Sequence, residues 1–130
     1  MAFKFRLQAV QKVHQYQRDE EKQSLAQLLQ KQSEILKDIT RQQNELARIK
    51  GERFQLLRSG NLQMGQLQHY SRFEARLEKK LHELLEQQNQ LQFQVEAQRN
   101  ALIKSEQEVK KFEKLEEKQR EIYRKAHSET

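Results

Sequence analysis

Four histidines, His14, His69, His82 and His127, are the only imidazoles in a chain without cysteine. A zinc or other transition-metal site would therefore need them, joined by carboxylates, to converge, typically with two ligands at i and i+4 on one helix face and a third close by. The four are scattered through the sequence and no pair has that spacing. Covalent catalysis would need a nucleophile set beside a base, and phosphate chemistry a glycine-rich loop ending in lysine. Neither pattern occurs, and Gly51, Gly60 and Gly65 lack the lysine spacing of such a loop. The expectation is a protein with no metal, no cofactor and no catalytic residues, hence not an enzyme.

Charge is the next chemistry on offer. A net charge of +6 and a pI near 9.6 invite a nucleic-acid reading, so the placement of the charges decides. Between Lys104 and Lys125 they are interleaved, and Glu106–Lys110, Glu116–Arg120 and Glu121–Lys125 form favourable i,i+4 pairs. No basic stripe with aromatics between its charges is present, so the expectation is a solvated helix face and no nucleic-acid partner.

Whatever these residues do, the elements that hold them are narrow. With 35% hydrophobic residues, no tryptophan and a mean hydropathy of −1.13, the chain cannot fill a thick globular core. The absence of proline and the abundance of Gln, Glu, Lys and Leu suit long helices that bury only a stripe. The opening MAFKFRLQAV is basic but has no apolar run long enough for export or for crossing a membrane, and the lack of cysteine fits a reducing cytosol.

The stripe can be counted. From Leu67 a 4,3 spacing runs through Tyr70, Glu74, Leu77, Leu81, Leu84, Gln88, Leu91, Val95, Gln98, Leu102, Ser105, Val109, Phe112, Glu116, Gln119 and Tyr123. Upstream, Leu25, Leu28, Gln32, Ile35, Ile39, Gln42, Leu46, Ile49, Arg53 and Leu56 have the same spacing, with Leu29, Leu36 and Leu57 expected to widen the seam. Phe3, Leu7 and Val10 follow another phase, which predicts a phase break and looser packing between His14 and Ser24.

Between the two series lies RSGNLQMG, residues 58–65, where two glycines fall close together. The series stay in phase across it, as one continuous rod would require. Each glycine, however, costs about 1 kcal/mol inside a helix, Gly60 suits the left-handed position that ends one, and Asn61 can cap the next. The reading is an all-α, two-helix antiparallel coiled-coil hairpin forming one unit over 1–130, with helix 1 at about 2–58, a turn at about 59–65 and helix 2 at about 66–125. Two registers keep the layers aligned. Partner numbers totalling 123 centre the bend on Asn61, whereas a total of 130 sets Gln32 on Gln98 and Gln42 on Gln88, amide against amide.

Two segments carry a family resemblance. FKFRLQAVQKVHQYQRDEEK, at the start, and LQHYSRFEARLEKKL, after the turn, with Tyr70, Phe73 and Leu77 in a Tyr-x-x-Phe-x-x-x-Leu arrangement, resemble the flagellar export protein FliJ family. The resemblance implies a stalk similar to that of rotary ATPases. Its implied partners are the hexameric flagellar export ATPase, a membrane export gate protein and export chaperones, and its implied place is the cytoplasm, peripheral at the cytoplasmic face of the inner membrane. The gate site carried over is Tyr70, Phe73 and Leu77; on the first helix Gln42, Leu46 and Ile49 stand where the family has aromatics.

By likeness to rotary stalks, the joined termini would enter the ATPase ring. Phe3, Phe5, Leu7, Val10, Phe112, Leu115, Ile122 and Tyr123 offer more apolar surface there than a seam needs, ringed by Lys4, Arg6, Lys12, Arg120, Arg124 and Lys125. The blander alternatives are a generic helical-hairpin tether or chaperone that merely spaces partners, a basic arm that binds nucleic acid, and terminal aromatics that only patch the phase break.

Overall fold

The computed structural model describes residues 3–60 and 63–128. Among these it holds two helices and no strand: α1, Gln8–Ser59, and α2, Met64–Ser128. The helices break at the turn and pack on each other antiparallel, so the chain is an all-α hairpin and not a single rod.

The start of α1 differs from the expected position near residue 2. Its first turn has no acidic residue, and no Ser, Thr, Asp or Asn precedes it to cap the free N–H groups. Residues 3–5 stay non-helical instead, with Phe5 buried at 6% exposure, and the Gln8 N–H donates to the Phe5 carbonyl at 3.1 Å. The docked ring, not a cap, sets where the helix begins.

At the other end of α1, Gly60 adopts φ 73°, the left-handed conformation expected for it, and the Ser59 hydroxyl donates to the Leu56 carbonyl at 2.8 Å. Asn61, the expected cap of α2, lies outside the described residues. Gln63 caps the helix: its carbonyl accepts the N–H groups of Gln66 and Leu67, and its own N–H donates to Gln66 Oε1 at 3.2 Å. This is one arm of a capping box, and it starts α2 at Met64.

The chain divides into two compact units. The turn unit is Leu29–Phe93; the terminal unit joins the residues up to Leu28 with those from Gln94 onward. In the turn unit Ile39, Ile49 and Leu91 form the buried apolar core, Glu74 is buried with them, and the remaining heptad positions of both helices are half-buried. Leu29 joins that seam, but Leu36 and Leu57 are 48% and 52% exposed and do not widen it.

Cross-helix partners in this unit total 124 for Gln32 with Gln92, 127 for Arg53 with Glu74 and 128 for Lys50 with Glu78. The contacts fall between the two expected registers, and the amide ladder of the second is not made. Gln32 reaches Gln92 rather than Gln98, and the Oε1 atoms of Gln42 and Gln88 are buried with no hydrogen-bond partner in the protein. The alignment that forms holds the glycine-ended turn and the Arg53–Glu74 ion pair and leaves Gln42 and Gln88 unmatched.

In the terminal unit Val95 and Val109 are almost wholly buried, each removing apolar surface from water worth about 1.5–3 kcal/mol. The phase break expected between His14 and Ser24 does not occur. Gln11 is buried, and His14, Arg18, Glu21, Leu25 and Leu28 are half-buried in unbroken 3,4 spacing that continues the α1 seam upstream. Polar side chains fill these layers by bonding across them. Gln11 Nε2 donates to Glu116 Oε2 at 2.9 Å, Gln98 Nε2 donates to Glu21, and the His14 ring stacks on Phe112 at 4.8 Å.

Candidate functional site

Tyr70, Phe73 and Leu77 all lie on the first turns of α2 in the turn unit, and each is half-buried. Their spacing brings them to adjoining rows of one helix flank. Between them Glu74 is buried at 8% exposure and accepts a charge-assisted bond from Arg53 Nη1 at 3.0 Å, which closes the seam beneath the aromatics. This buried ion pair went unremarked at the sequence level, although two opposite charges both standing at seam positions were its signal.

Above that seam is a groove of about 540 Å³. Ile49, a buried core residue, lies at its edge; Tyr70, Phe73 and His69 form one wall, and Arg48 and Glu52 the other. Leu77 does not line it. The His69 and Tyr70 rings meet edge-on at 6.3 Å. Arg48 bonds to both Glu45 and Glu52 along α1, so its wall is a fixed rank of paired charges. The Arg48 guanidinium holds the Glu45 carboxyl below the usual carboxylate range, and the same bond raises the guanidinium further above its ordinary value. Such a groove can seat an apolar or aromatic side chain with polar groups at its rim.

The eight residues expected at the terminal end fall into three groups. Phe5 is core, with too little surface for a partner; Phe3, Phe112, Leu115 and Tyr123 are half-buried; Leu7, Val10 and Ile122 are exposed at 37%, 42% and 60%. Phe3 and Tyr123 pack at 5.5 Å, and the Arg120 guanidinium lies 5.2 Å from the Phe3 ring centre. A shallow depression of about 420 Å³ lies among Phe3, Lys4, Arg6, Gln119, Ile122 and Tyr123. Two further apolar side chains of the terminal unit, Val13 and Tyr16, are 62% and 70% exposed and were not singled out by the spacing. Their signal was that they are apolar and fall off the seam phase.

Among the described residues no group of His, Asp and Glu has a metal-holding arrangement, and no helix is long and apolar enough to cross a membrane. A family model described as the flagellar FliJ protein matches residues 3–129. No curated relative and no solved structure matches the chain.

Proposed function

The chain belongs to the flagellar FliJ family, which gives it a role related to flagellar export, and from that premise we propose that it is a non-enzymatic stalk and adaptor of the type III export apparatus. The terminal unit inserts into the hexameric export ATPase. The Tyr70, Phe73 and Leu77 flank of the turn unit meets the membrane export gate, so the protein works as a peripheral component at the cytoplasmic face of the inner membrane. Escort of export chaperones belongs to the same adaptor role.

The observation that carries this reading is that each unit leaves apolar side chains outside its own seam: Leu7, Val10, Val13, Tyr16 and Ile122 in one, and the groove beside Tyr70 and Phe73 in the other. A tether that only spaced its partners would have no need of either surface.

Removing residues 1–12 tests it. The expected result is loss of ATPase stimulation with gate binding retained, in a protein that circular dichroism shows still helical. Phe73→Ala is expected to do the converse, weakening gate binding and leaving the melting curve nearly unchanged. Stimulation that survives the deletion but is lost when the turn is altered would assign the ring contact to the other unit.

A further inference from the structure

On the outer face of α2, beginning within one turn of the groove, stand Arg72, Arg76, Lys79 and Lys80, all exposed. Most arginines elsewhere in the described chain are held by a carboxylate: Arg18, Arg41, Arg48, Arg53, Arg120 and Arg124 each make an ion pair. None of those pairs reaches any of these four. Sequence explains why for the two arginines. Neither has a carboxylate three or four residues away, and at i,i+4 they are each other's neighbour, with Lys80 next in the row after Arg76. The acidic residues within the segment are engaged elsewhere, Glu74 buried on Arg53 and Glu78 paired with Lys50.

Like charges at i,i+4 destabilise a helix by about 0.2–0.5 kcal/mol per pair. The Arg72–Arg76 and Arg76–Lys80 pairs carry that cost with no carboxylate three or four residues from either arginine to offset it. We infer that the Arg72–Arg76–Lys79–Lys80 ridge is a docking surface for an acidic polypeptide segment, whose carboxylates lie on the ridge while an apolar side chain enters the groove beside Tyr70 and Phe73. The inference rests on the reading of that groove as partner-facing and names the chemistry of what it receives.

Three considerations select a polypeptide. Guanidinium forks one helical turn apart, about 5–6 Å, match carboxylates one turn apart on a helix or two residues apart on an extended strand. The exposed large apolar residues of the turn unit, Leu36, Phe54, Leu57, Met64, Leu85 and Phe93, all lie outside the stretch 69–80, so a membrane would gain charge contact without insertion. A nucleic acid would want aromatics free to stack between the charges, and Phe73, the aromatic within the ridge, is half-buried at the groove.

The test uses the full chain and a fluorescein-labelled poly-glutamate dodecapeptide, with and without a central Leu-Phe, read by anisotropy at low and physiological salt. Arg72→Gln/Arg76→Gln is expected to weaken binding of both peptides roughly three- to tenfold, the range that two exposed charge pairs supply. The melting temperature is expected to hold or rise, because a repulsion has been removed. Lys110→Gln/Lys111→Gln removes equal charge from the terminal unit and is expected to leave binding unchanged. The inference is overturned if the ridge variant binds either peptide as wild type does or melts lower, if the control loses as much, or if vesicles of phosphatidylglycerol and phosphatidylcholine or duplex DNA bind more tightly than either peptide. Phe73→Ala separates the two levels. Ridge-dependent binding of plain poly-glutamate with no effect of Phe73→Ala on the Leu-Phe peptide keeps the ridge and discards the groove.

Discussion

The Arg53–Glu74 pair shows how a single seam position weighs against its neighbours. Its Arg side chain keeps 34% exposure while the Glu side chain keeps only 10%, so the two partners do not depend on the pair equally. Replacing Glu74 by Leu strands a guanidinium beside the seam, but one that can swing toward water. The cost is expected below the roughly 3–5 kcal/mol of a fully buried pair, at about 1 kcal/mol. Replacing both residues by Leu removes the mismatch and is expected to return stability to the wild-type value or above it. Urea unfolding of wild type, both single variants and the double variant measures the coupling; a Glu74→Leu protein more stable than wild type would show that the pair contributes nothing. No such ledger applies to the Arg48 network. Its carboxylates are exposed, and it orders one wall of the groove more than it holds the fold together.

At the scale of the element, α1 carries a flaw that is easily mended. Gly51 sits inside the helix on an exposed position, and a Cβ placed there meets nothing. Gly51→Ala is expected to stabilise the protein by about 0.5–1 kcal/mol, visible as a higher melting temperature with unchanged helicity below the transition. The same helix shows what a periodic pattern can and cannot reveal. Its seam from Leu25 to Leu56 was legible because apolar residues mark it. The stretch from Gln11 to Glu21 was not, because its layers are filled by Gln, His, Arg and Glu, which carry no apolar period and declare themselves only by their cross-helix bonds. In α2 the counted string matches burial at nearly every step, Gln119 alone being exposed.

For the whole molecule, fold class was readable because an all-α hairpin needs only a repeating stripe and a break in it, and both are written in residue types. Which apolar residues stay outside the seam was readable only in part. Of the three residues that the family resemblance carried over, Tyr70 and Phe73 border a groove and Leu77 does not, and Phe5 belongs to the core because the chain ahead of α1 turns inward. No period distinguishes an apolar residue that folds under from one left outside. Closing its seam within one chain has a thermodynamic signature: the melting midpoint of the hairpin is expected to be independent of protein concentration over about two decades. A midpoint that climbed with concentration would mean that two chains, not one, complete the seam.

The fold reversal also depends on the handedness of one alpha carbon. Gly60 holds φ 73°, and a side chain built on it in the ordinary L configuration would touch nothing. The obstacle to any other residue there is thus backbone chirality and not space. L-alanine at position 60 is expected to cost about 1–2 kcal/mol, the penalty of the left-handed region. Its mirror image, D-alanine, introduced by chemical ligation, favours that region and narrows the unfolded ensemble, so it is expected to make the hairpin more stable than glycine does. Two proteins of identical composition, differing only in the configuration of one methyl group, would then melt on opposite sides of the wild type.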